Sequence, residues 1–205
     1  MSSPRTPTGH LVLLRHGETE WSRSGKHTGR TDIPLTAHGE VLARAAGALL
    51  TGFDFRLVLC SPLQRARHTA ELAGLDAEVD PDLLEWDYGG YEGLTTAEIR
   101  ERLGHDWTVF HDGVVPGETP GETVEEVAGR ASRVLSRALP AMHDGDVALV
   151  GHGHCLRILT ATFLRQEARM GAQILLDAGS VSVLQYEREQ PAIRTWNRLP
   201  ALPTD

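Results

Sequence analysis

Short uninterrupted apolar runs recur along the chain, each followed by a stretch in which apolar residues return every three or four positions. The runs are His10-Leu-Val-Leu-Leu-Arg15, residues 57–60 and Val147-Ala-Leu-Val150, and their continuous hydrophobicity predicts strands buried on both faces. After the first, Thr36 is placed to cap a helix with Val41, Leu42, Ala45, Ala46 and Leu49 on one face and a stop near Gly52. After the second, Ser61-Pro62 reads as an N-cap and first-turn proline for a helix over 63–72 that ends at Gly74. Thr95-Thr-Ala-Glu98 and Thr123-Val-Glu-Glu126 are capping-box patterns, the second opening a helix that buries Val124, Val127, Ala131, Val134 and Leu135. The third run leads through Gly151-His152-Gly153-His154 into the apolar stretch 156–164, and 181–186 and 192–196 predict late strands, antiparallel at a sheet edge.

Buried strands alternating with amphipathic helices predict an α/β fold with a largely parallel sheet covered on both faces. At 205 residues and 40% hydrophobic content, the chain has material for one substantial core. No repeat or linker divides it. The expected organisation is a flexible leader over 1–9, one domain over 10–198 and a tail over 199–205. A formal charge of −8 leaves no diffuse basic field, which argues against nucleic acid or an anionic membrane as a partner. Cys60 and Cys155 each sit in an apolar stretch, as in a reducing compartment. The N-terminus has no apolar signal segment, and no apolar run approaches the roughly 18 residues of a membrane span. A cytoplasmic location is the expectation.

In open α/β sheets, ligands bind beyond the carboxyl ends of the strands. Three features fall there: Arg15-His16-Gly17, Ser61-x-x-x-Arg65 and Gly151-His152-Gly153. A single histidine at a strand end is ordinarily a packed or solvated side chain, and Arg65 alone would be a solvated helix face, as Arg67 beside it is expected to be. Two arginines and two histidines at one sheet edge are another matter, because they repel unless an anion lies between them. A phosphoryl group is such an anion. Its transfer needs a nucleophile and fixed positive charge on the non-bridging oxygens. Arg15 and Arg65 supply planar forks matched to phosphate. His16 attacks only if neutral, and neighbouring guanidinium groups favour that form. His152 is suited to donate to the transferring group. A leaving alkoxide also needs a proton, for which the acid-rich, aperiodic stretch 85–93 offers Glu85.

Taken in order, Arg15-His16-Gly17-Glu18-Thr19-x-Trp21, Thr28-Gly29, Asp32, Leu35-Thr36-x-x-Gly39, Ser61-x-x-x-Arg65-Ala66, Glu85-x-x-x-Gly89, Glu92-Gly93, Gly117-Glu118 and His152-Gly153 resemble the histidine phosphatase superfamily, in its phosphoglycerate-mutase-like branch, over about residues 11–183. The resemblance implies a three-layer α/β/α sandwich with a mostly parallel central sheet. It also implies a two-step mechanism without metal or cofactor. His16 becomes phosphorylated, Arg15, Arg65 and His152 bind the phosphoryl group, and Glu85 first protonates the leaving oxygen and then activates water. Many relatives have Asn where this chain has Ser22, which shortens or removes a phosphate contact that Thr28 and the Gly29 amide partly replace. Gly153 and His154 complete the expected phosphate-binding set. Glu85-Trp-Asp-Tyr-Gly89, Tyr91-Glu92-Gly93, His152-Gly-His154 and Leu176-Asp-Ala-Gly179 resemble the sedoheptulose-bisphosphatase-like and broad acid-phosphatase members. A sugar bisphosphate needs a second basic spot, with Lys26, His27 and Arg30 as candidates.

The expected partner is a small-molecule phosphate ester, with a homodimer left open. The main alternative is a phosphoglycerate mutase, which uses the same phosphohistidine but requires extra positive charge at the site mouth. Between Glu85 and Thr119 the basic residues are Arg100 and Arg102 alone, against several acids. Hydrolysis is therefore preferred. A catalytically silent phospho-ligand-binding domain would be expected to lack one of the five reactive residues, and none is missing. A metal site at His152-Gly-His154 with His16 lacks carboxylate ligands at metal spacing. Trp21, Trp86, Tyr88 and Trp107 fit either pocket or core.

Overall fold

The computed structural model describes residues 6–202; positions 1–5 of the expected leader and 203–205 of the expected tail lie outside them. Strands β1 (Leu11–Arg15), β2 (Phe55–Cys60), β3 (Glu78–Val79), β4 (Asp146–Gly151), β5 (Val181–Glu187) and β6 (Gln190–Arg198) form one sheet in the order β3-β2-β4-β1-β5-β6. The first four strands in that order pair in parallel, whereas β5 and β6 are added by antiparallel pairing, as the late apolar segments predict. The helices are α1 (Glu20–Ser24), α2 (Ala37–Ala46), α3 (Gln64–Leu72), α4 (Thr96–Leu103), α5 (Val109–Asp112), α6 (Val124–Ala141) and α7 (Gly153–Phe163).

Strand periodicity assigns the helices to faces. Leu11 and Leu13 of β1, with Val147 and Leu149 of β4, point toward a core shared with Val127, Val134, Leu156 and Leu159 of α6 and α7. Val12 and Leu14 point the other way, onto Ala46 of α2 and Ala66 and Ala70 of α3. With both faces covered, the strands can be apolar throughout, and three layers result. Both capping boxes form as expected, at Thr95 with Glu98 and at Thr123 with Glu126. Among the described residues, no helix is long and apolar enough to cross a membrane.

Two local expectations are corrected. Val41 is 43% exposed, and α2 instead buries Gly39, Leu42, Ala43 and Ala46, because the helix turns its small residues toward the sheet. Ser61 is not the cap of α3. The helix starts at Gln64, whose amide is capped from outside by the Asp32 carboxylate at 2.7 Å, and the Ser61 hydroxyl is engaged elsewhere. The leader is anchored at its inner end, where the buried Gly9 donates to Met142 O at 2.9 Å and the His10 amide donates to Asp146 Oδ1 at 2.8 Å. In the tail, Pro200 is buried.

Register brings the reactive residues level. Arg15 pairs with Gly151, and Cys60 pairs with Val150. One step further, the His16 amide donates to Gly151 O at 2.9 Å and the Ser61 amide to Val150 O at 3.0 Å. His16, Ser61 and His152 therefore leave three adjacent strands at one height. The loop after His16 is pinned by α2, whose Gly39 lies so close that a Cβ there would sit 2.1 Å from Glu18 O. Gly39→Ala should accordingly displace this loop and destabilise the fold by about 1–3 kcal/mol. Denaturant unfolding and turnover measured together should both fall; an unchanged midpoint with full turnover would refute the contact.

Candidate active site

His16 is buried and its Nδ1 lies 2.7 Å from Gly17 O. A carbonyl oxygen only accepts, so Nδ1 carries the proton and Nε2 keeps its lone pair. Burial, then the charges of Arg65 and Arg15, hold the imidazole well below its usual pKa range, against a smaller opposing effect of the Gly17 bond. The ring is thus neutral at pH 7, with one defined nucleophilic nitrogen.

Arg65, fully buried on the first turn of α3, is held almost entirely by acceptors. Its Nη1 donates to Thr31 O at 2.9 Å, its Nη2 to Thr28 O at 3.0 Å and Gly29 O at 3.1 Å, and its Nε to His152 Nδ1 at 3.2 Å. Because an arginine only donates, His152 must accept on Nδ1 and carry its proton on Nε2, which lies 2.7 Å from Ser61 Oγ. Burial, followed by Arg65, His16 and Arg15, depresses the His152 pKa strongly, so its neutral form is present. The His16 and His152 rings are 5.1 Å apart. Arg15 donates through Nη1 to Leu176 O, while its buried Nε meets no acceptor among the described residues. An unpaired buried donor is unfavourable unless a ligand oxygen meets it.

Glu85 is 5% exposed and so is not a surface acid. Its Oε1 accepts from the amides of Trp86 and Cys155, both at 2.8 Å, and its Oε2 from the amide of His154 at 3.0 Å. The N-cap residue of α7 is His152, which provides no side-chain cap. Glu85 supplies that cap from another part of the chain, and in doing so its carboxyl group is fixed at the first turn of α7. Behind it, Arg130 donates to Asp82 O at 2.7 Å, Leu84 O at 2.9 Å and Glu85 O at 3.4 Å. Arg130 is paired with Glu122 at 2.7 Å, and Glu122 also accepts from the Asp87 amide at 3.0 Å. Sequence reasoning missed this clamp; its members lie far apart in the chain and carry no local signal.

Arg15, His16, Glu85, Ser22, Thr28, Gly153 and His154 line one small cavity of about 180 Å³. Arg65 and His152 are fully buried next to it. The Ser22 hydroxyl is taken up in a capping box with Thr19, accepting from its amide at 2.9 Å and donating to its carbonyl at 3.1 Å. Gly29 does not line the cavity, and its amide donates to both oxygens of Glu92 at 2.9 Å, so its contribution is the carbonyl on Arg65. Of the proposed second basic spot, Lys26 and His27 line the cavity, but burial lowers the His27 pKa to about 4 and leaves it uncharged. Arg30 faces Glu122 at 3.4 Å and Asp87 at 3.8 Å instead. Trp86 and Trp107 are core, whereas Tyr88 is both buried and cavity-lining, with its hydroxyl 2.5 Å from His154 Nδ1. Arg157 also lines the cavity and was not foreseen. Among the described residues, no three His, Cys, Asp or Glu side chains gather as metal ligands do.

Comparison with known proteins places this geometry in context. The family model described as histidine phosphatase superfamily (branch 1) matches residues 11–199. A Mycobacterium tuberculosis protein named acid phosphatase is 42% identical over 180 residues, covering 86% of each chain. A Saccharomyces cerevisiae protein named sedoheptulose 1,7-bisphosphatase is 35% identical over 185 residues, covering 75% of this chain and 67% of that one. A solved structure from Mycobacterium tuberculosis superposes with a TM-score of 0.88 at 38% identity, covering 94% of this chain and 98% of the other.

The depressed histidines carry a consequence for stability. His16, His27, His152 and His154 are all neutral in the fold, each chiefly through burial. In the unfolded chain they take up protons below about pH 6.5. Between that value and their folded pKa values the unfolded state binds more protons, so stability is complete above about pH 6.5 and declines as pH falls. For His27 that window closes near pH 4. Urea midpoints at pH 7, 6 and 5 should fall monotonically; a midpoint that rises on acidification would contradict the neutral assignment.

Proposed function

The chain belongs to the histidine phosphatase superfamily, branch 1, and from that premise we propose that it hydrolyses small phosphate monoesters through a phosphorylated His16, with residues 10–198 as the catalytic unit. The observation that carries this reading is the Nδ1 bond to Gly17 O, which leaves the Nε2 lone pair of a neutral imidazole beside Arg15 and Glu85.

In the first step Nε2 attacks phosphorus, a nitrogen–phosphorus bond forms, and the ester oxygen departs, taking a proton from the Glu85 carboxyl. Arg15 and Arg65 stabilise the charge on the non-bridging oxygens. The Arg15 Nε is a ready donor for one of them. His152, neutral with its proton on Nε2, supplies a further donor by turning that proton from Ser61 toward the phosphoryl oxygen. In the second step Glu85, now a carboxylate, removes a proton from water. The hydroxide attacks phosphorus, the nitrogen–phosphorus bond breaks, inorganic phosphate leaves, and both His16 and Glu85 return to their starting forms.

The backbone amides on Glu85 hold it in place for both proton transfers. The names of the relatives, an acid phosphatase and a bisphosphatase of a sugar, support water as the final acceptor and small phosphorylated metabolites as the substrate class.

His16→Ala should reduce turnover of a chromogenic phosphate ester and of sugar phosphates by about 10³-fold or more. Undiminished turnover in this variant would remove the mechanism. Phosphoglycerate interconversion that depends on a bisphosphoglycerate primer and exceeds phosphate release would replace hydrolysis with mutase action.

A further inference from the structure

The segment between α7 and β5 holds Arg15, and an irregularity in β6 holds that segment. Over residues 176–180 the chain wraps the end of β1. Leu176 O accepts from Arg15 Nη1, the Gly179 amide donates to Arg15 O at 3.2 Å and to His16 O at 3.0 Å, and Ser180 O accepts from the Arg15 amide at 3.1 Å. Alongside, Val181 pairs with Arg198 and Val183 with Thr195, so two steps along β5 answer three along β6, and β6 carries an extra residue. Asn197 lies in this bulge with a φ of 54°, in the left-handed region that asparagine enters at lower cost than most residues. The bulge turns two neighbouring side chains onto the loop. Trp196 Nε1 donates to Leu175 O at 2.6 Å. Asn197 and Asp177 clasp each other: the Asp177 amide donates to Asn197 Oδ1 and Asn197 Nδ2 donates to Asp177 Oδ2, both at 2.7 Å. The two grips bracket Leu176, whose carbonyl holds the Arg15 guanidinium.

The clasp also settles where a negative charge lies. Asp177 follows the residue whose carbonyl binds Arg15, and the two side chains line a second cavity of about 430 Å³ that shares Arg15 and Ser22 with the cavity of His16. Asp177 is exposed, yet it forms no ion pair with Arg15 or with any other of the described residues. It is near enough to act on Arg15 all the same. Burial is the largest effect on that guanidinium and lowers its pKa, and Glu85, Tyr88 and Asp177, in that order, oppose it. The buried Arg15 Nε has no acceptor among the described residues. A bond between Asp177 and Arg15 would be charge-assisted on both sides, stronger than the one to the Asn197 amide, and it would occupy the fork that a phosphoryl group needs. We propose that Asn197 is a positioning residue for phosphate binding: by clasping the Asp177 carboxylate it keeps that charge off Arg15 and leaves the guanidinium to the substrate. The proposal rests on the phosphatase reading of the His16 cavity and deepens it by naming a residue that governs the affinity of its phosphate site.

The test compares one substitution in two backgrounds. Calorimetric binding of inorganic phosphate reads the site without turnover, and KM for a chromogenic ester accompanies it. Asn197→Gly accepts the positive φ and removes the clasping amide. With Asp177 in place it should weaken phosphate binding by about tenfold, the size of a charge-assisted contact, and raise KM in parallel. In an Asp177→Asn background the released side chain carries no charge, and the same substitution should weaken binding by less than about twofold. A clasp that only braced the loop would cost the same in both backgrounds. Equal losses, or no loss with Asp177 present, overturn the proposal. Asn197→Asp is isosteric and tolerates positive φ as well; it sets a repelling oxygen where Nδ2 stands and repeats the comparison if the glycine variant does not fold. His16→Ala keeps the two readings apart. A dead His16 variant alongside equal losses removes only the role of Asn197, whereas an active one removes the phosphatase mechanism while the two backgrounds still decide the clasp. A wild-type protein that binds no phosphate removes both.

Discussion

The hydrogen bond from His16 Nδ1 to the carbonyl of Gly17 decides what the site can do. It fixes the tautomer, orients the ring and leaves Nε2 as the only basic nitrogen. Such a bond needs a rigid turn just after β1, and much of the surrounding structure supplies that rigidity. The Gly17 amide is tied to Thr69 of α3 at 3.0 Å, Thr69 donates to Arg65 O at 2.7 Å, and Gly39 of α2 closes against the chain at Glu18. The same helix that steadies the turn at His16 thus carries Arg65. Placement of the His16 ring and of positive charge is therefore one packing problem.

Charge is the second constraint. Arg15, Arg65 and Arg157 are buried or half-buried without carboxylate partners within ion-pairing distance among the described residues, and burial is the largest effect on each. Backbone carbonyls make this tolerable, because they satisfy guanidinium donors without cancelling the charge. Where the protein needs stiffness and no free charge, it pairs, as in the Arg130–Glu122 clamp behind Glu85. This division separates cations left with their charge uncancelled from cations paired within the fold.

Much of this was legible along the chain. Buried strands, capping boxes and the cluster of Arg15, His16, Arg65 and His152 depend on local periodicity and on strand ends, which short stretches of sequence encode. What was not legible depends on partners far away. Ser61 has the composition of a helix cap, yet its hydroxyl is drawn to His152, which is 91 residues distant in the chain. The Gly29 amide was expected at the phosphate and is taken by Glu92, 63 residues on. Glu85 was identified as an acid, but its role as the cap of α7 depends on a contact across 69 and 70 positions.

The central claim is that Nε2 of a neutral His16 takes up the phosphoryl group. It is tested most directly by rapid quenching of the enzyme during turnover of a phosphorus-labelled substrate, under alkaline conditions that preserve phosphohistidine. Peptide mapping and phosphorus NMR of the trapped protein then locate the label. The account predicts a phosphoryl group on His16, bonded through Nε2 and absent from enzyme incubated without substrate. A label on Nδ1, or on any other residue, would contradict it.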